Sequence, residues 1–529
     1  MQTKTSSIYL LGCLLAGFII FTSCSKNESL PTKQDNTIDL KAFSKPSSKG
    51  TEFYALTSTN ELVKYSSGNP LTEISDVAIT GLQNMERILA IDFRPATGQL
   101  YGVSNQSRIY VIRPHTGVAV AVSQTPFTPA INGTEVGFDF NPTVDRIRLV
   151  TNADQNLRLN PETGMVASVD GSINPSGTTV TAVAYTNSVA GAATTTLYDI
   201  DVEGDKLYMQ TPPNTGSLVV VGDLGVQALG EAGFDIAPDN SIAIAALFGR
   251  GQDGDDDTEE SKGNKYRFYN INLSTGEAKK VGKTNRVIIG LAIPTNPVAY
   301  AAGQANNLII FNPTTTAGMV SKNITGLQSG EVVLGIDMRP ATAQLYALGS
   351  SNRIYTVNMA SGAATAVGTT DFTPALSGTS FGFDFNPTVD RIRVVSNTGQ
   401  NLRLNPITGA VAAVDPMLNP GTPSVDGAAY KNNFAGALTT LLYDIDFATD
   451  KLYEQNPANA GTLIEVGSLG VDVSAGGGFD IGGMSNNAFG IFTVAGNTSL
   501  YSINLTTGMS TSLMPFSTPV RGIAIGLGF

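Results

Sequence analysis

Short apolar segments recur along the chain, each with Asp or Ala at its centre and each followed by turn-forming residues. The central residue falls at Asp92, Asp139, Ala184, Asp235 and Ala292, then at Asp337, Asp384, Ala429, Asp480 and Ala524, with spacings of 44 to 57. Between these segments, tight turns end in glycine: RPHTG at Gly117, NPETG at Gly164, PPNTG at Gly216, NLSTG at Gly276, and again at Gly362, Gly409 and Gly508. Glycine supplies the positive φ that such a hairpin turn requires. Each unit therefore reads as strand, turn, strand, strand, glycine turn, strand. Four short antiparallel strands per unit are the sequence form of a β-propeller blade.

A longer repeat encloses the short one. The string GFDFNPTVDRIRLVTNADQNLRLN at 137–160 returns at 382–405 with 20 of 24 positions identical, an offset of 245. The same offset carries Tyr185 onto Tyr430 and Tyr198 onto Tyr443. The chain is a tandem duplication, and the expected fold is all-β: ten four-stranded blades arranged as two five-bladed propellers, 53–295 and 296–529. In each half the last apolar segment lacks following strands while the first strands lack a preceding segment, so pairing the two closes a ring and removes exposed edges. One ten-bladed ring is the alternative arrangement.

The repeated strings IDFRPATGQLYGVS, GFDFNPTVDRIRLVTN and QNLRLNPETG, with their second copies, resemble the bacterial family called domain of unknown function 4394. The resemblance runs as two copies over nearly everything from residue 53 to the end. It implies a propeller in an exported protein, and it brings no catalytic residues with it.

The first residues break the blade pattern. Lys4 precedes an apolar stretch from Ile8 to Phe21, too short to span a bilayer as an ordinary helix. Phe21-Thr22-Ser23-Cys24 follows, which resembles a lipobox. Residues 1–23 are thus expected to be a lipoprotein signal, Cys24 the lipidation site, and 24–52 a polar tether. The expected location is the cell envelope, anchored by lipid to the outer membrane and facing either the periplasm or the surface. The only other cysteine, Cys13, lies within the leader, so the mature part has no disulfide, thiolate nucleophile or cysteine-metal site.

Composition narrows the chemistry further. A formal charge of −12 gives no basic footprint for nucleic acid. The single histidine, His115, sits in a turn, leaving histidine-based triads and zinc-histidine sites without a second member. There is no Trp for a sugar platform, and the glycines close hairpins rather than cradle phosphates.

Three sets of polar residues stand out. The second blade of each half puts Arg146 and Arg148 on one strand face and Ile147 and Leu149 on the other, with Arg158 beside them. The following blade offers Asp199 and Asp201 in LYDID. One reading is a buried inter-blade ion layer pairing Arg148 and Arg158 with Asp199 or Asp201, and Arg393 and Arg403 with Asp444 or Asp446. The other is a cleft in which these groups bind an anionic or carbohydrate ligand. The central Asp of the apolar segments reads as a hydrogen-bonding residue near a crowded axis, with a metal-holding carboxylate ring as the sharper alternative. Asp253, Asp255 and Asp257 have the alternate spacing of a calcium loop, but Thr258 and Asn264 stand where that loop needs Gly and Glu. No cofactor is expected, and calcium is the one ion that loop brings into consideration.

Function follows from a site rather than from a fold. The expected activity is non-catalytic binding or scaffolding through a propeller face, for an envelope protein or a glycan. A polysaccharide hydrolase or lyase with paired carboxylates is the alternative, and a structural adhesin or complex subunit is a third reading.

Overall fold

The computed structural model describes residues 50–68, 72–250, 265–315, 318–516 and 518–529. The leader, Cys24, nearly all of the tether, and the acidic insertion with Asp253, Asp255 and Asp257 lie outside the described residues. Among the described residues, strands assemble into ten four-stranded antiparallel sheets.

In the first half the innermost strands are Ile88–Phe93, Val136–Asn141, Val180–Tyr185, Gln227–Ile236 and Ile288–Ala292, and each packs on the next until the last meets the first. The second half repeats this cycle with Val333–Arg339, Phe381–Asn386, Val425–Tyr430, Val473–Ile481 and Val520–Ile525. Each half is therefore its own five-bladed ring, and the single ten-bladed ring is excluded. Each ring closes as the chain ends predicted. Ile288–Ala292 pairs with Glu52–Thr57, and Val520–Ile525 pairs with Ala299–Gly303.

Burial follows the distance of each strand from the axis. Innermost strands are mostly covered on both faces, so Val136–Asn141 is buried throughout, although Gln227–Ile236 and Val473–Ile481 carry exposed residues in their first halves. Outermost strands keep one wet face, and Val166–Val169 alternates half-buried and exposed positions. At the hairpin turns the expected backbone is present: Gly117 has φ +70, and a Cβ there would lie 2.0 Å from the carbonyl oxygen of Ala78. At the axis of the second ring, Gly335, Gly382, Gly427 and Gly478 bring the inner strands so close that a void of about 10 Å³ remains. That is room for about one water. The axis of the second ring is thus closely packed.

The rings share an interface. Tyr300 of the second ring donates to the carbonyl of Ala96 at 2.9 Å, and Arg113 of the first donates to the carbonyl of Ala435 at 2.9 Å while lying 4.2 Å from the Phe434 ring centre. Ala96 belongs to the same apolar cluster as Tyr300, Ile310, Met338 and Leu527.

Candidate functional site

In three of the five innermost strands of each ring, a central Asp latches one blade to the next. Asp92 accepts from the N–H of Phe93 at 2.7 Å and from that of Phe140, in the following blade, at 2.8 Å. Asp139 accepts from Tyr185 at 3.1 Å, and Asp235 from Ile293 at 2.5 Å. The second ring repeats the set, with Asp337 accepting from Phe385, Asp384 from Tyr430, and Asp480 from Ile525. This is the hydrogen-bonding role expected at a crowded axis.

In each ring the three carboxylates converge, with oxygens within 4.8 Å of one another. Three such oxygens have the donor chemistry for a hard cation, although the backbone N–H groups already claim the carboxylates. Burial raises all six carboxyls above the usual range, and Asp235 and Asp480 are pushed up to about 7. Asp480→Ala is expected to cost about 1–3 kcal/mol for each buried N–H left without an acceptor. Asp480→Asn keeps one acceptor and should cost markedly less, which denaturant midpoints of the two variants will show.

The arginine layer lies between the second and third blades. Ile147 and Leu149 bury against the first blade with Phe138 and Tyr101, which turns the guanidinium face toward the third. Arg148 donates to Asn156, Asp170 and Asn214, each at 2.7 Å, and Arg158 grips Asp170 with two bonds of 2.8 and 2.9 Å. The second ring has the same arrangement: Arg393 bonds Asn401, Asp415 and Asn459, while Arg403 grips Asp415.

The partner carboxylate is therefore not the expected one. Asp170 and Asp415 come from their own blade, just beyond the outermost strand. The link to the neighbouring blade is made by Asn214 and Asn459, together with longer contacts from Arg148 to the Tyr185 hydroxyl and from Arg393 to that of Tyr430. Burial would raise the Asp170 carboxyl, but its bonds from Arg158 and Arg148 hold it below the ordinary value.

Asp201 and Asp446 are spent on their own turns. Asp201 accepts from the N–H groups of Thr179, Glu203 and Gly204, and Asp446 from Ser424, Ala448 and Thr449. Asp199 and Asp444 are fully buried, and among the described residues neither oxygen of either carboxyl has a hydrogen-bond partner. Burial pushes Asp444 up to about 8 against the opposing charge of Arg393, and it raises Asp199 likewise. Asp444 is thus held as a neutral acid at neutral pH, and burial disfavours the charged form of Asp199 in the same way.

The signal for Asp170 was available in the sequence. VASVD and VAAVD end in Asp in both halves, although Ser168 has become Ala413 and Gly171 has become Pro416. Asn214 had a similar signal, since Pro213-Asn214-Thr215 became Ala458-Asn459-Ala460 with only the Asn retained.

Beside this layer in the second ring lies a cavity of about 320 Å³. Arg391, Arg393 and Arg403 line it with Asn386, Tyr430 and Asn459, and the exposed side chain of Val389 adds an apolar contact. No Asp or Glu is among its lining residues. Arg393 is committed to its network, whereas Arg403 gives Asp415 only Nε and Nη2, leaving Nη1. Arg391 bonds the carbonyl of Asp390 through Nη1, which leaves its Nε–Nη2 edge. In a protein of net charge −12, three guanidinium groups against the single carboxylate of Asp415 make a local positive site.

The sequence matches the family described as Domain of unknown function (DUF4394) over residues 61–292 and again over 307–524. The chain belongs to this family. Its two DUF4394 regions correspond to the two rings. No curated protein matches the chain. Among solved structures it is similar to the extracellular domain of a one-component system from B. thetaiotaomicron, at 12% identity over 88% of this chain, with a TM-score of 0.24. It is likewise similar to PorZ, a surface component of the type-IX secretion system of Porphyromonas gingivalis, at 12% identity over 88% of this chain, with a TM-score of 0.25. The chain spans 59% of the length of each of these structures.

Proposed function

We propose that this DUF4394 protein is a non-catalytic binding protein of the cell envelope, tethered through lipid on Cys24, which takes an anionic ligand into the arginine-lined cavity of its second ring. The observation that carries this reading is the cavity itself, with three guanidinium groups and no carboxylate in its lining. Glycoside hydrolysis needs two carboxyl groups facing the scissile bond, and this cavity is built for holding negative charge.

A thermal-shift panel of acidic and neutral sugars on the full chain tests the reading, because a ligand that binds only the folded state raises its melting temperature. Acidic members are expected to stabilise the protein and neutral ones to leave it unchanged. The effect should shrink in high salt and fall at least about tenfold in apparent affinity for Arg391→Ala, which removes a charge-assisted bond. Equal shifts for glucose and glucuronate would sink it. For the anchor, labelling with a palmitate analogue is expected to mark the chain and to be lost in Cys24→Ala.

A further inference from the structure

The two halves keep the cavity-forming turn without change. Residues 141–148 and 386–393 both read NPTVDRIR. The corresponding turns of other blades have drifted: RPATGQ at 94–99 is RPATAQ at 339–344, DVEGDK at 201–206 is DFATDK at 446–451, and APDNS at 237–241 is GGMSN at 482–486. Packing explains why the buried Arg148 and Arg393 persist. It does not explain Val144 and Val389, which are 40% and 56% exposed, because an exposed side chain contributes little to a core. Exposed and half-buried positions nearby were free to change, as Glu162 to Ile407 and Ser172 to Met417 show.

The donor frame is duplicated as well as the sequence. Arg146 bonds the carbonyl of Asp145 at 2.8 Å, as Arg391 bonds that of Asp390 at 2.8 Å. Arg158 and Arg403 both grip their Asp through Nε and Nη2, which leaves Nη1 in each ring. An Nε–Nη2 edge is a planar pair of donors that matches the two oxygens of a carboxylate. The adjacent valine offers an apolar surface to the C–H face of a sugar ring.

We infer that the first ring holds a second carboxylate site equivalent to the cavity of the second, so that the protein is bivalent and its ligand is an acidic polysaccharide carrying repeated uronate groups. This rests on the reading of the cavity as an anion site and extends it to ligand class and stoichiometry. Two sites on one chain reward a ligand that repeats, because the second contact is made at high effective concentration once the first has formed.

Isothermal titration of the full chain with trigalacturonate tests the inference, with circular dichroism confirming that each variant is folded. The expected stoichiometry is two, falling to one in Arg391→Ala and to one in Arg146→Ala, with no binding in the double variant. Polygalacturonate should bind the unmodified protein at least about tenfold more tightly than it binds either single variant. A stoichiometry of one that Arg391→Ala abolishes and Arg146→Ala leaves untouched overturns the bivalent site while leaving the cavity reading intact. Absence of binding throughout overturns both. Tighter binding of polyphosphate than of polygalacturonate overturns the assignment to carboxylates.

Discussion

Arg94→Ala is expected to cost about 3–5 kcal/mol of folding stability, the range for removing one partner of a buried ion pair and leaving the other charge uncompensated. The Arg94 side chain is fully buried and grips Asp145 with two bonds, of 2.8 and 2.5 Å, while its third nitrogen donates at 3.1 Å to the carbonyl of Ala343 in the other ring. Its duplicate supplies an internal control. Arg339 grips Asp390 with the same two bonds, but there the side chains are 11% and 34% exposed. Water screens that pair and solvates the carboxylate left behind, so Arg339→Ala should cost only about 1 kcal/mol. Arg94 also ties the rings together, so its loss should weaken their coupling, visible as a broader calorimetric transition. Equal costs at the two positions would show that burial against the neighbouring ring does not set the strength of the pair.

Stability is expected to rise when the pH falls from 8 to 5, by about 3 kcal/mol or more. Burial raises the carboxyls of Asp92, Asp139, Asp199 and Asp235 and of their duplicates Asp337, Asp384, Asp444 and Asp480. A carboxyl with a raised folded-state pKa keeps its proton where the unfolded chain, titrating near 3.9, has lost it. Its penalty is absent below the unfolded value and grows as pH rises toward the folded one. With Asp235 and Asp480 at about 7 and Asp444 at about 8, the window runs from about pH 4 to 8. Each group then removes up to about 1.4 kcal/mol per pH unit.

Glu73 and Asp170 have lowered values and act in the opposite sense, with stability lost as pH falls through the acidic range. A maximum between these two regimes follows. Denaturant midpoints at pH 5 and pH 8 test this, and Asp444→Asn should reduce the difference by the share of that one group, because the amide has no proton to lose. A higher midpoint at pH 8 than at pH 5 would contradict the burial of neutral acids.

Much of the architecture was legible in the chain because its causes are local and repeated. Glycine favours the positive φ of the hairpin turns at Gly117, Gly164 and Gly216, an apolar run suits a strand covered on both faces, and the offset of 245 displays most of these features twice. The open chain ends of each half even indicated how each ring closes. The axial Asp residues could be read as hydrogen-bonding groups for the same reason, since Ala substitutes for them in some blades.

The partners of the arginines were a different matter. Alternation put Arg148 on the face turned away from Ile147, which the structure bears out, but several acids lay within sequence reach of that face. Asp199 lies on the adjacent blade, neither of its oxygens is hydrogen-bonded among the described residues, and burial raises its carboxyl. Asp170, on the arginine's own blade, reaches it across the hairpin. Strand periodicity tells which side a residue takes, whereas the choice among acids on that side depends on twist and on differences of a few ångströms between packed blades. The duplication, the blades and their closure, and the faces of the polar residues are written in the residue pattern, because these follow from backbone geometry and period-two burial. Which carboxylate pairs with an arginine, which one burial raises instead, and the cavity beside Arg391 and Arg403 emerge only from the packed fold. Those outcomes are set by desolvation and by distances between residues far apart in the chain.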